Sequence, residues 1–161
     1  MTGISLCPIE AANWRATLRL AVHPDQQYFV AEHTPIAAII LAKAYVRPGG
    51  LIWEPYIITA DSALVGLLAL AYHAHPQDQV WLFHFFIDSQ YQGKGYGKAA
   101  MHAVVELVRH RFVTCQSLNL TVHPENHRAQ KLYCGVGFRK RGDELYDEPV
   151  YTLMIREALD G

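Results

Sequence analysis

The sequence predicts one domain, residues 1–161, of the α/β (α+β) class. Three observations lead there. A length of 161 residues with 51% hydrophobic and 18% charged residues suits a single globular unit with a substantial core. Apolar runs of strand character alternate with helical stripes in the order β-α-α-β-β-β-α-β-α-β-β. Tight turns join the three middle strands into a meander and the last two into a hairpin.

Residues 4–8 read as the first strand, and residues 13–22 as an amphipathic helix with Trp14 and Leu18 four apart. Thr34-Pro35 reads as a cap followed by proline at the first helical position. Ile36, Ile39, Ile40 and Lys43 continue that second helix until Arg47-Pro48-Gly49-Gly50 breaks it. Residues 53–60 and 63–72 flank a turn at Asp61-Ser62, and Pro76-Gln77-Asp78 leads into the strand 80–87. Ala100, Ala103, Val104, Leu107 and Val108 then place one helical face on a sheet. Residues 117–122 form a short strand. Residues 138–145 and 150–155 close the domain as a hairpin around Asp147-Glu148.

The segment between the 80–87 strand and the helix after it carries the chemistry. Gly93, Gly95 and Gly97 fall within five residues, leaving backbone amides uncovered by side chains. They lead into a helix N-terminus, where unpaired amides and the dipole favour a polyphosphate. A Walker A loop is excluded, because Gly93 and Gly97-Lys98 are too close and Ala99 stands where a metal-binding hydroxyl belongs. The dinucleotide fingerprint is excluded by its glycine spacing and by Glu106, which lies mid-helix.

What remains is Gln92-x-x-Gly95-x-Gly97 after a strand, and here the chain resembles the GNAT superfamily of acyl-CoA-dependent N-acyltransferases. A second segment resembles the other half of that family's cofactor site: Asn126, Ala129, Leu132 and Tyr133, followed by Gly137-Phe138. Its spacing is physically sensible. Asn126 is a good N-cap after Pro124, and Ala129, Leu132, Tyr133 and Val136 share one stripe. Gly135 and Gly137 supply a stop.

The resemblance covers nearly the whole chain. It implies a mixed, mostly antiparallel central sheet of about six to seven strands flanked by about four helices. It implies acetyl-CoA as cosubstrate and no metal. Main-chain groups of Phe85, Phe86 and Ile87 would pair with pantetheine, and one amide would polarise the thioester carbonyl. Gln92, Gly93, Lys94, Gly95, Tyr96, Gly97 and Lys98 would wrap the pyrophosphate. Asn126 and Ala129 would line the arm from the other side, with Lys98, Arg128 and Lys131 as candidates for outer phosphates. Tyr133 occupies the position of the family's general acid. Tyrosine near 10 and a thiol near 8.5 make full proton transfer uphill by roughly 2 kcal/mol, so Tyr133 would donate a hydrogen bond first and transfer late.

A primary amine near pKa 10.4 costs about 4.6 kcal/mol to neutralise at pH 7, so a base is needed. Glu32, Glu54 and His84 are the candidates at the expected cleft, and His84 has a natural pKa suited to the task. Several segments resemble the polyamine (spermine/spermidine) N-acetyltransferase branch: Gln27-Tyr28-Phe29-Val30-Ala31, Val80-Trp81-Leu82 and Tyr91-Gln92-Gly93-Lys94-Gly95. Glu32, Glu54, Asp61, Glu144 and Asp147 could supply carboxylates for a polycation, but Phe83-His84 stands where that branch can carry an acidic-basic pair. Polyamine, amino acid, peptide N-terminus and other small amines therefore stay open as acceptors, as does a non-catalytic acyl-CoA-binding module.

A net charge of -1 gives no footprint for nucleic acid. No apolar run suits a membrane span or signal peptide. Cys7, Cys115 and Cys134 form neither a disulfide framework nor a zinc pattern, which fits reduced thiols in the cytoplasm. His73 and His75 read as a solvated loop. Similar proteins are usually homodimers.

Overall fold

In the computed structural model, residues 3–156 are described. The strands are β1 (Ile4–Pro8), β2 (Ile52–Ala60), β3 (Ala63–Tyr72), β4 (Gln79–Ile87), β5 (Ser117–Thr121), β6 (Arg139–Leu145) and β7 (Glu148–Met154). They form one sheet in the order β1-β2-β3-β4-β5-β7-β6. Among the described residues β4 and β5 alone run parallel; the other neighbouring strands are antiparallel. The helices are α1 (Trp14–Thr17), α2 (Gln27–Val30), α3 (Ile36–Val46), α4 (Tyr96–Arg111) and α5 (His127–Val136).

β3 is apolar along nearly its whole length because helices cover both faces of the sheet. Leu68, Leu70 and Tyr72 point toward α4, whose Ala100, Met101, Val104 and Val108 are fully buried. Leu67, Ala69 and Ala71 point the other way, toward Ile36, Ala37 and Ile40 of α3. The period of two thus sorts one strand's residues into two cores.

The helix expected over residues 13–22 is shorter. It stops after Thr17 because the next backbone is claimed elsewhere: Asp88 accepts from the Ala21 amide at 2.9 Å, and Ser89 N–H donates to the Ala21 carbonyl at 2.8 Å. The chain restarts as the single turn α2, so among the described residues five α-helices flank the sheet. The N-cap of α3 is Pro35, one position before its expected place inside the helix. α5 runs through Gly135 and ends at Gly137 alone, with φ 122°. The final hairpin turns at Tyr146-Asp147, both with positive φ, so Glu148 opens β7 instead of sitting in the turn. That one-residue shift decides which way the Glu148 side chain faces.

Two irregularities in β4 build the site. Its parallel pairing to β5 ends at Trp81↔Asn119, so residues 82–87 have no strand partner on that side. Its pairing to β3 slips between Ala69↔Phe83 and Leu67↔Phe86. His84 sits in this bulge with φ 54°.

Candidate active site

The splay between β4 and β5 opens a cleft of about 970 Å³. At one end lies the turn before α4. Gly93 (φ 78°) and Gly95 (φ 83°) take left-handed conformations, and Gly95 caps α4. A Cβ at either would meet nothing within 4 Å, so glycine is required here by dihedral and leaves the amides bare. Gly97, Lys98 and Arg128 line the same end. An anion therefore finds helix N-terminal amides and two cations together. The Gln92 side chain turns inward. Its Nε2 donates to the Ile87 carbonyl and to Gln26 Oε1, both at 2.9 Å, while its Oε1 accepts from Arg128 at 3.3 Å. It fixes the loop while still lining the cleft.

Midway, Phe85, Phe86 and Ile87 line the floor, and Asn126 and Ala129 the opposite wall. Asn126 caps α5, accepting from the Ala129 amide at 3.3 Å. This aims α5 so that Tyr133 enters the cleft with its ring 6.4 Å from Phe85 and 5.9 Å from Phe138. Tyr133 is 8% exposed, and among the described residues no protein group bonds its hydroxyl. Burial raises its pKa well above the ordinary range, and the carboxylate of Glu148 raises it further.

Glu148 lines the cleft and was missed by sequence reasoning, which assigned it to a turn. At the far end, Tyr28, Phe29, Trp53, Phe83 and Tyr146 make an aromatic chamber. Tyr28 donates to Glu125 at 3.1 Å and Phe29 packs 5.2 Å from His123, so α2 bridges to the segment before α5.

The three candidate bases fare differently. Glu32 lines the chamber and is exposed. His84 also lines the cleft, but both ring nitrogens are engaged. Nδ1 lies 2.7 Å from the Val30 carbonyl, which only accepts, so Nδ1 carries the hydrogen. Nε2 then accepts from Lys43 Nζ at 2.8 Å. Burial and the Lys43 charge push the His84 pKa down to about 4. The natural pKa that recommended it as a base does not survive folding. Glu54 lies on the opposite face of the sheet, bonded to Arg111, Tyr72 and Tyr56, outside the cleft. Strand alternation explains this, since the adjacent Trp53 faces the chamber. Lys94 does not line the cleft either; its Nζ lies 5.9 Å from the Tyr91 ring centroid.

Lys43 is the other residue that sequence reasoning passed over. It stands on the apolar stripe of α3, and its Nζ lies 4.9 Å from the Trp53 ring centroid and 6.0 Å from that of Phe83. A lysine continuing the stripe Ile36-Ile39-Ile40 was the available signal.

A splayed parallel pair, a glycine turn on a helix N-terminus and a buried, unbonded tyrosine share one groove. The Acetyltransferase (GNAT) family profile matches residues 7–138. The chain belongs to the GNAT family. It is an acyl-CoA-dependent N-acetyltransferase. It is 32% identical over 142 residues to the spermine/spermidine N(1)-acetyltransferase of Bacillus subtilis, covering 88% of this chain and 91% of that one. It is also 32% identical over 131 residues to N-acetylaspartate synthetase of Rattus norvegicus, covering 80% of this chain and 41% of that one. Its fold matches the spermidine N-acetyltransferase of Vibrio cholerae, solved with CoA and spermine. The TM-score is 0.70 at 16% identity, covering 94% and 95% of the two chains. Among the described residues, no group of three or more His, Cys, Asp or Glu side chains could hold a metal, and no helix is long and apolar enough to cross a membrane.

Proposed function

We propose that this GNAT protein transfers an acetyl group from acetyl-CoA to the primary amine of a small molecule, by direct attack in a ternary complex. The observation that carries this reading is the unbonded Tyr133 hydroxyl in a groove between the unpaired edge of β4 and α5. When bound, acetyl-CoA supplies an electrophilic thioester carbonyl and a thiolate leaving group. The amides of residues 95–97, with Lys98 and Arg128, hold its phosphates. The free edge of β4 at Phe85, Phe86 and Ile87 holds the pantetheine arm and polarises the carbonyl.

Tyr133 keeps its proton at neutral pH and donates to the departing sulfur. Its raised pKa favours hydrogen bonding over early transfer, since each unit of mismatch adds about 1.4 kcal/mol. Glu148 replaces His84 as the candidate base. A carboxylate is too weak to neutralise a free ammonium, so the attacking nitrogen belongs to the small fraction of amine that has already lost one proton to water. Once that nitrogen has bonded to carbon it carries a positive charge and is far more acidic, and Glu148 takes its extra proton as the thiolate leaves.

Two acceptor classes have support. The Bacillus relative's name, and the carboxylates Glu32 and Glu148 that line the cleft, favour a polyamine. The rat relative's name and the charge of Lys43 favour an amino acid. Thiol release from acetyl-CoA, measured with spermidine, spermine, putrescine and amino acids, tests the reading. Turnover with at least one amine is expected; binding of acetyl-CoA without turnover on any would leave a non-catalytic acyl-CoA module.

A further inference from the structure

The chamber at the acceptor end holds two opposite charges that do not satisfy each other. Lys43 enters from α3 and Glu32 from the segment after α2. Among the described residues no salt bridge joins either to any partner. We infer that Lys43 determines acceptor specificity by anchoring a carboxylate, so that the acceptor is an amino-acid-like zwitterion rather than a polyamine. This rests on the acetyltransferase reading above.

The ammonium is held in place rather than free. His84 Nε2 accepts one of its hydrogens at 2.8 Å, and the Val30 carbonyl fixes the His84 ring. His84 is neutral in this arrangement, so it orients Lys43 without cancelling its charge. The Trp53 and Phe83 rings support the ammonium from below at 4.9 and 6.0 Å. Lys43 has three donors, and His84 uses one. The side chain is half-buried, and burial lowers its pKa while Glu32 opposes the change. A carboxylate arriving there would relieve the cost of desolvating the charge.

The same geometry disfavours a polycation. A second ammonium seeking an aromatic face would find Trp53 already covered, with a like charge beside it in a partly dry chamber. Lys43, Glu148 and Tyr133 line one cleft, so an amino acid with its carboxylate on Lys43 can turn its amine toward Glu148 and Tyr133. Glu148, whose charge acts on Tyr133, complements the amine end.

Matched acceptors differing only in the carboxylate test this: ornithine against putrescine, and phenylalanine against phenethylamine, with spermidine alongside. Thiol release from acetyl-CoA is measured for wild type, Lys43→Met and Lys43→Arg. Wild type is expected to favour the carboxylated member of a pair by about 10- to 100-fold in kcat/KM, the worth of a charge-assisted hydrogen bond. Lys43→Met should erase the preference through the acceptor KM while leaving the acetyl-CoA KM unchanged, and Lys43→Arg should retain it. A purely structural lysine would instead shift every acceptor and acetyl-CoA alike. Equal or better turnover of putrescine and spermidine by wild type would overturn the inference and leave the acetyltransferase reading standing. A carboxylate preference that persists in Lys43→Met would remove Lys43 from the role. Absence of thiol release with every amine would overturn both.

Discussion

Tyr133 is buried, yet it lines the cleft and its hydroxyl has no protein hydrogen-bond partner among the described residues, a combination that fits the proton donor proposed above better than a core tyrosine. Tyr133→Phe keeps the ring contacts with Phe85 and Phe138 and removes only the donor. Single-turnover kinetics should then show the chemical step slowed by about 10²- to 10⁴-fold, with acetyl-CoA affinity unchanged. An unaltered chemical step would exclude the hydroxyl from catalysis. His84 carries a separate consequence for stability. Its pKa falls from 6.5 toward about 4 on folding, so between those values the unfolded chain binds more protons. Stability is therefore complete above pH 6.5 and is lost as pH falls toward 4, with a ceiling of about 3 kcal/mol for this one group. Lys43 and Glu32 are the charges that act on it, and partial exposure lowers the figure. Asn tolerates the positive φ at this position and does not titrate. Urea denaturation at several pH values should show a shallower acid loss for His84→Asn than for wild type; parallel curves would refute the assignment.

The turn into α4 separates two reasons for glycine. Gly95 has φ 83°, so alanine there is strained by about 1–2 kcal/mol even though its Cβ meets nothing. Gly97 has an ordinary φ, and a Cβ would rest 3.6 Å from Leu132 and 3.8 Å from Ile87, which is normal contact. Gly97→Ala should therefore unfold within about 0.5 kcal/mol of wild type, yet bind acetyl-CoA more weakly because the methyl group crowds the phosphates. Gly95→Ala should lose both stability and affinity. Calorimetry with acetyl-CoA and thermal melts would separate the two, and wild-type affinity in Gly97→Ala would contradict a phosphate cradle at this turn. The glycine spacing and the Asn126 cap were legible in sequence because they are local: each residue type answers to its own dihedral or its own nearest amide. What was not legible depended on contacts across the fold. The end of α1 is set by Asp88 and Ser89, sixty-odd residues away. Glu148 faces the cleft because the hairpin turns one residue earlier than its composition suggested. Lys43 was visible as a break in an apolar stripe, but only the sheet beneath α3 gives it Trp53 and His84 as neighbours.

The two faces of the sheet divide the labour of the whole molecule. The α3 face borders the acceptor chamber, while the α4 face is covered by the larger core and ends at a polar cluster of its own. There Glu54 of β2 accepts from Arg111 of α4 and from Tyr56 and Tyr72. Burial alone would raise the Glu54 pKa, but those donors overcome it and hold the carboxyl below its ordinary value. Burial, helped by the same carboxylate, pushes both tyrosines up to about 12. This cluster ties the last turn of α4 to β2, and through α4 to the glycine turn at its other end. Removing one partner of a buried ion pair costs about 3–5 kcal/mol. Arg111 is 41% exposed, so solvent screening brings the expected loss for Glu54→Ala to about 2 kcal/mol. Because the cluster lies across the sheet from the cleft, kcat/KM for the best acceptor should stay within about twofold of wild type. A double-mutant cycle with Arg111→Ala should show that most of the loss is the pair itself, with the second substitution adding little to the first. A selective fall in acceptor kcat/KM at unchanged stability would instead return Glu54 to the substrate site and contradict the strand register that turns it away.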